Sequence, residues 1–180
     1  MRSFVRSAAL GLTIFFAGGL AGAQPANESP RRAKESPQQA ASTAEVLGKL
    51  HASNVEEIRM GKMAQEHGRS AGVKAFGKML VEDHNAADDK VAQLAKEENI
   101  TLAANTPALP EENNLPMGAG FDAAFAKAMV KDHKKAIAEV KAARAATNDE
   151  KLKSLLGELL PVLEKHERAA QLLVDQGPKA

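Results

Sequence analysis

The fold is decided by a stretch at residues 149–175, which reads DEKLKSLLGELLPVLEKHERAAQLLVD. Its inward positions recur four and three residues apart, the spacing that keeps side chains on one face of a helix packed against other helices. The series is Leu152, Leu156, Leu159, Leu163, His166, Ala170 and Leu173. The pattern therefore predicts a long amphipathic helix whose buried seam contains one histidine.

Three further segments show the same periodicity, and no segment shows the period-2 alternation of a strand. The predicted helices cover residues 43–68, 71–99, 120–146 and 149–175. Ser42 followed by Glu45 predicts a capping box at the start of the first helix. Thr147 or Asn148 is the predicted cap of the fourth helix, and Gly177 followed by Pro178 is its predicted stop.

The connection between the second and third helices is long and carries Pro107, Pro110 and Pro116. Loops of this length are uncommon inside compact domains. A four-helix bundle with one long crossover is an architecture that uses such a connection. We therefore predict an all-α domain over residues 42–176, a four-helix bundle with its crossover between helices 2 and 3.

The N-terminal segment has the three parts of a secretory signal. Arg2 and Arg6 supply the positive start, an apolar run extends from Ala8 to Leu20, and small residues follow at 21–23. Residues 1–23 are therefore a predicted signal peptide, and the mature chain is expected in the periplasm or secreted. Residues 24–41 are rich in proline, serine and charge and are predicted to be a disordered linker. No second apolar run follows, so no transmembrane span is expected in the mature chain.

Composition excludes several classes of function. The chain has no cysteine, which excludes disulfides, thiolate metal sites and cysteine nucleophiles. It carries 24 Lys and Arg against 23 Asp and Glu, a balance that gives no reason to expect nucleic-acid binding. Neither a phosphate-binding loop nor a nucleophile elbow is present, so no nucleotide is expected and an enzyme is not favoured. A protein partner or a homo-oligomer is left open.

Polar residues interrupt all four seams. Helices 2, 3 and 4 place His84, His133 and His166 on otherwise apolar seams, and helix 1 places Asn54 and Glu57 there. Each histidine and Glu57 falls roughly 20–26 Å from the start of its predicted helix, at 1.5 Å per residue. Residues at mid-length meet whichever way the helices run. The three histidines and Glu57 are therefore expected at one level of the core.

The sequence is compatible with two interpretations of this cluster. Three neutral imidazoles and one carboxylate suit a divalent transition metal such as zinc, iron, copper or manganese, which makes Glu57, His84, His133 and His166 the candidate ligands. Alternatively, they form a hydrogen-bonded network in a structural or partner-binding bundle. Non-covalent haem needs a larger cavity than the leucine-rich seams offer, so no haem is expected. We expect Asp83 and Asp132 to face solvent or a neighbouring helix, with a role in orienting a metal-binding histidine as the alternative. His51 is expected to lie on the surface.

The order of motifs resembles a secreted ferritin-like family called domain of unknown function 4142. The resemblance covers about residues 45–174 and rests on Asn54, Glu57-Ile58, Gly61-Lys62, Met79, Asp83-His84, Phe121-Asp122, Asp132-His133, Leu160-Pro161 and His166. It implies a ferritin-like bundle in an exported protein, with no established biochemical role.

The resemblance to ferritin-like proteins also implies a test for a di-iron centre. Such centres need a Glu-x-x-His motif on each of two helices. Val81, Val130 and Leu163 stand three residues before the seam histidines. A mononuclear site, or none, is therefore expected instead of a di-iron centre.

Overall fold

The computed structural model describes residues 37–103 and 115–177, with side chains described from Thr43 onward, and these ranges contain helices and no strand. The long helices are α1 (Pro37–His67), α2 (Ala71–Glu97), α3 (Phe121–Ala146) and α4 (Glu150–Gln176), and a short 3₁₀ turn at Gly118–Gly120 precedes α3. The predicted all-α class is confirmed. The predicted signal peptide and residues 24–36 of the predicted linker lie outside the described ranges. Within those ranges, no helix is long and apolar enough to cross a membrane.

Helix α1 begins earlier than its sequence pattern predicts. It starts at Pro37, so residues 37–41 of the predicted linker are helical and Ser42 lies inside the helix. The predicted start at Thr43, with its capping box at Ser42, is therefore wrong. Proline fits the first helical turn because the backbone N–H that it lacks would have no helical partner there, and because its φ is already close to the helical value.

Helix α4 is capped by Asp149, not by Thr147 or Asn148 as predicted. The Asp149 carboxylate accepts hydrogen bonds from the backbone N–H groups of Lys151 and Leu152, at 2.9 and 3.1 Å. It also accepts one from the Thr43 hydroxyl at 3.0 Å, in a buried contact between α4 and α1. These two helices therefore begin at the same end of the bundle.

The opposite end of the bundle holds the starts of α2 and α3. The Asp122 carboxylate accepts hydrogen bonds from the backbone N–H groups of Arg69 and Ser70, at 2.9 and 2.8 Å. Helix α2 ends at the end of the bundle where α1 and α4 begin, because Glu98 pairs there with Lys151 in the first turn of α4. The link from α2 to α3 thus joins opposite ends of the bundle, in agreement with the predicted crossover. Pro107 and Pro110 of this link lie outside the described residues.

The buried side chains form two apolar clusters, one toward each end of the bundle. The first includes Leu47, Val91, Val140, Leu152 and Leu156. The second includes Met60, Phe76, Leu80, Phe125 and Met129. On α2, His84 lies between Leu80 of the second cluster and Ala87 of the first. The level between the clusters is therefore where polar side chains enter the core.

Helices α1 and α2 approach each other closely through two glycines. A Cβ atom at Gly77 would lie 2.5 Å from the carbonyl oxygen of Gly61, closer than real Cβ contacts allow. The same approach brings Asn54 of α1 within hydrogen-bonding distance of His84 on α2. The two glycines therefore allow the short helix separation at which Asn54 reaches His84.

Candidate metal centre

Three helices each contribute one histidine to the level of the core between the two apolar clusters. His84 of α2, His133 of α3 and His166 of α4 are 4%, 1% and 0% exposed. Each occupies the seam position that the heptad pattern assigns to it. The predicted convergence of the three imidazoles at one level is thus present in the structure.

The three imidazoles are close enough to share one ion. One ring nitrogen from each of them lies within 4.8 Å of the other two. Nε2 of His133 and Nδ1 of His166 are 3.3 Å apart. Two nitrogens bound tetrahedrally to zinc at about 2.0–2.1 Å lie about 3.3–3.4 Å from each other, so this pair already has the separation of two zinc ligands.

Each imidazole uses its other nitrogen in a hydrogen bond to an oxygen. Nδ1 of His133 lies 3.0 Å from the backbone oxygen of Met129, on the preceding turn of the same helix. Nδ1 of His84 lies 3.0 Å from Oδ1 of Asn54, and Nε2 of His166 lies 2.8 Å from Oδ2 of Asp83. Because these oxygens accept, the three nitrogens that face them carry the hydrogens. In a neutral imidazole the remaining nitrogen then has a free lone pair.

Burial keeps the three imidazoles neutral. Burial, together with smaller contributions from His166 and His133, lowers the pKa of His84 to about 3. It lowers the pKa of His133 to about 4, again with a contribution from His166. Burial also lowers the pKa of His166, although the hydrogen bond to Asp83 opposes this. At neutral pH the level therefore presents three lone pairs and no positive charge.

This arrangement leaves polar atoms without partners. Among the described residues, Nε2 of His84 has no hydrogen-bond partner although it is buried. The 3.3 Å contact between His133 and His166 sets two lone pairs against each other when both rings are neutral. A proton between them would make an imidazolium, which burial disfavours. A divalent cation accepts all three lone pairs, so the residues present fit a metal ion.

Glu57 is not part of the group whose ligand atoms all lie within 4.8 Å of one another; that group consists of the three histidines. Its Oε2 is buried, and no described residue gives it a hydrogen bond. Burial, followed by the nearby carboxylates of Asp132 and Glu56, raises the pKa of Glu57 to about 8. The carboxyl is therefore largely protonated at pH 7 in the absence of a cation. Its role as a fourth ligand stays a prediction.

Asp83 faces a neighbouring helix, which is one of the two positions predicted for it. It reaches across to His166 on α4, whose ring it orients, and it also pairs with Lys165. Burial raises the pKa of Asp83, but the hydrogen bonds from Lys165 and His166 outweigh this and bring the pKa below its usual value. An aspartate directly before a seam histidine was the available signal, but only the packing shows which ring it serves.

His51 lies elsewhere than predicted. It was expected on the surface, but its side chain is only 23% exposed and its Nδ1 contacts both carboxylate oxygens of Asp88, at 2.9 and 3.0 Å. Asp88 is four residues after His84 on α2. A second polar contact between α1 and α2 therefore lies beside the three histidines.

The family described as a domain of unknown function (DUF4142) matches residues 28–173 of this chain. The chain belongs to the DUF4142 family. The match includes α1, α2 and α3, and α4 as far as Leu173, together with His84, His133 and His166. No curated protein matches this DUF4142 chain significantly. The histidine cluster is thus a feature of a protein whose family has no stated function.

Proposed function

We propose that this protein is an exported, ferritin-like helical bundle that binds one divalent transition-metal ion in its core. His84, His133 and His166 are the ligands, with Glu57 as the fourth. The role we infer is metal handling or protection of the cell envelope under stress.

The three preset lone pairs are the observation that supports metal binding. Histidine ligands of metals almost always donate their other N–H to a carboxylate, a backbone carbonyl or water, which fixes the tautomer and the ring orientation. Here the three rings donate to an amide oxygen, a backbone carbonyl and a carboxylate. One ring nitrogen of each histidine also lies within 4.8 Å of the other two, which a chance arrangement of core histidines has no reason to produce.

The ligand set limits the ion to a class. Three imidazoles and a carboxylate suit zinc, iron, copper or manganese better than magnesium or calcium, which prefer oxygen ligands. The ferritin-like arrangement is supported by two antiparallel helix pairs and by the link between opposite ends of the bundle. A di-iron centre is not proposed because Val81, Val130 and Leu163 stand where its glutamates are needed.

Export is supported by the composition of residues 1–23 alone. Two arginines, a short apolar run and a small-residue exit are the three parts of a secretory signal. The bundle's lack of cysteine is compatible with an oxidising compartment. We therefore propose a periplasmic or secreted location for the mature chain.

A structural or partner-binding bundle with a buried Glu/His network is the second candidate. The hydrogen bonds that hold the outer nitrogens favour it, because such networks fix helix register without an ion. However, this alternative leaves Nε2 of His84 and Oε2 of Glu57 buried without partners among the described residues. Each buried unsatisfied polar group costs about 1–3 kcal/mol, so metal binding accounts better for the cluster.

The test is metal analysis of the purified mature protein after zinc, copper, manganese or ferrous iron has been offered and the excess removed. We expect one equivalent in the parent and none in a His84→Ala, His133→Ala double variant. A His67→Ala variant is the matched control, since His67 lies at the exposed end of α1. In a separate thermal unfolding experiment, free metal at a concentration of 100 times its Kd should stabilise the parent by about 2.7 kcal/mol and raise its Tm by about 10 °C. A parent that takes up no metal and gains no thermal stability would overturn metal binding, and the second candidate would replace it.

A further inference from the structure

A chain of side-chain hydrogen bonds runs from the half-buried edge of the bundle to one of the three histidines. Nδ1 of His51 contacts the Asp88 carboxylate, and Nδ2 of Asn54 donates to Oδ1 of Asp88 at 3.4 Å. Oδ1 of Asn54 then accepts from Nδ1 of His84 at 3.0 Å. His51 and Asn54 belong to α1, whereas Asp88 and His84 belong to α2. Each of the three links therefore crosses the interface between α1 and α2 before the chain reaches the core.

The chemistry of Asp88 fixes which way the Asn54 amide points. An ionised carboxylate only accepts hydrogen bonds, so it requires the NH₂ end of the amide. The amide oxygen must then face His84, and the nitrogen that meets it must carry the hydrogen. Nε2 of His84 is consequently left with its lone pair, and that is the buried atom without a partner.

The other two histidines do not depend on such an orientation. His133 donates to the backbone oxygen of Met129, and His166 donates to the carboxylate of Asp83, and neither acceptor can turn into a donor. An amide can. If Asn54 turned its NH₂ toward His84, the hydrogen of the ring would move to Nε2 and occupy the position that the ion needs.

We propose that Asn54 and Asp88 form a positioning pair that sets the tautomer of His84 and so keeps Nε2 available to a metal ion. The proposal rests on the proposed metal site and adds how the tautomer of one ligand is set. Asp88 holds the amide of Asn54, and Asn54 holds the ring of His84. Neither residue is a ligand. Their effect on metal affinity passes entirely through the hydrogen on His84.

The test compares three variants with the parent. Asp88→Ala removes the anchor of the amide, and Asn54→Ala removes the amide itself. Asn85→Ala is the matched control, because Asn85 adjoins His84 in sequence but is exposed and bonds to the backbone of its own helix. Circular dichroism checks that each protein is folded. Asp88 is 21% exposed, so its replacement disturbs the core less than that of Asn54.

Two readouts are measured: the ¹⁵N spectrum of the metal-free histidines, and the Kd for zinc. In the parent and in Asn85→Ala, we expect the hydrogen of His84 on Nδ1. In Asp88→Ala and Asn54→Ala, we expect a substantial share of it on Nε2, together with zinc binding about 10–100-fold weaker. His133 and His166 should keep their tautomers throughout.

The outcomes separate this inference from the proposed function. An unchanged His84 tautomer in Asp88→Ala would overturn the positioning pair, even if the parent binds zinc. A parent that binds no zinc would overturn the proposed function, while the ¹⁵N spectra would still decide whether Asp88 and Asn54 control the ring. A changed tautomer with an unchanged Kd would refute the claim that the pair acts on metal binding.

Discussion

Replacing Glu57 by glutamine removes an ionisable group while keeping the size and shape of the side chain. In the metal-free folded protein, burial and then the charges of Asp132 and Glu56 raise the pKa of Glu57 from 4.5 to about 8. Between these two values the folded state holds a proton that the unfolded state has lost. The free energy of unfolding of the parent should therefore fall as pH rises from about 4.5 through about 8, and this dependence should vanish in Glu57→Gln.

The size of the effect follows from the same shift. Each pH unit inside the window changes the free energy of unfolding by 1.36 kcal/mol per proton. From pH 6 to pH 8, which ends at the folded pKa, the parent should lose about 2 kcal/mol relative to the variant. The histidine contributions are common to both proteins and cancel in the difference. With a urea m-value of about 1–3 kcal/mol/M, the gap between the two unfolding midpoints should change by about 1 M.

The assay is urea unfolding at pH 6 and pH 8 with a chelator present. Glu66→Gln is the control, since Glu66 lies on the same helix with 72% of its side chain exposed. Its gap to the parent should stay nearly constant. If the gap between the parent and Glu57→Gln is also the same at both pH values, Glu57 is not a buried protonated carboxyl, and our account of its environment is wrong.

Three further predictions concern packing, capping and export. Gly77→Ala should destabilise the fold by about 1–3 kcal/mol in urea unfolding, because its Cβ would lie 2.5 Å from the Gly61 oxygen, whereas Gly48→Ala, with nothing within 4 Å, should be neutral or stabilising. Equal effects of the two would contradict the close helix approach. Asp149→Ala removes a helix cap and a buried interhelical hydrogen bond, so the free energy of unfolding should fall by about 1–3 kcal/mol and the Tm should fall with it. An unchanged Tm would exclude that role for Asp149. N-terminal sequencing of exported protein should begin at Gln24, and a soluble cytoplasmic chain that retains Met1 would refute export.

Much of the fold was accessible from local pattern. The apolar spacing predicted α2, α3 and α4 to within about two residues at each boundary, because a helix repeats every 3.6 residues whatever surrounds it. The start of α1 was misplaced because proline reads as a linker signal but is also well suited to a first helical turn. The cap of α4 was misplaced because Asp149 competes with two other good capping residues before it.

The sequence by itself determined that three histidines lie on buried seams at matching depth, since seam position and depth depend only on spacing along each helix. Only the tertiary structure decided what those rings can do. Asp83 orients His166 from another helix, and Asn54 orients His84 across the interface of α1 and α2. The tautomer of a buried imidazole is set by the oxygen that meets it, and that oxygen lies 30 residues away in one case and 83 in the other. No periodicity within one helix carries that information, because it arises when the helices pack.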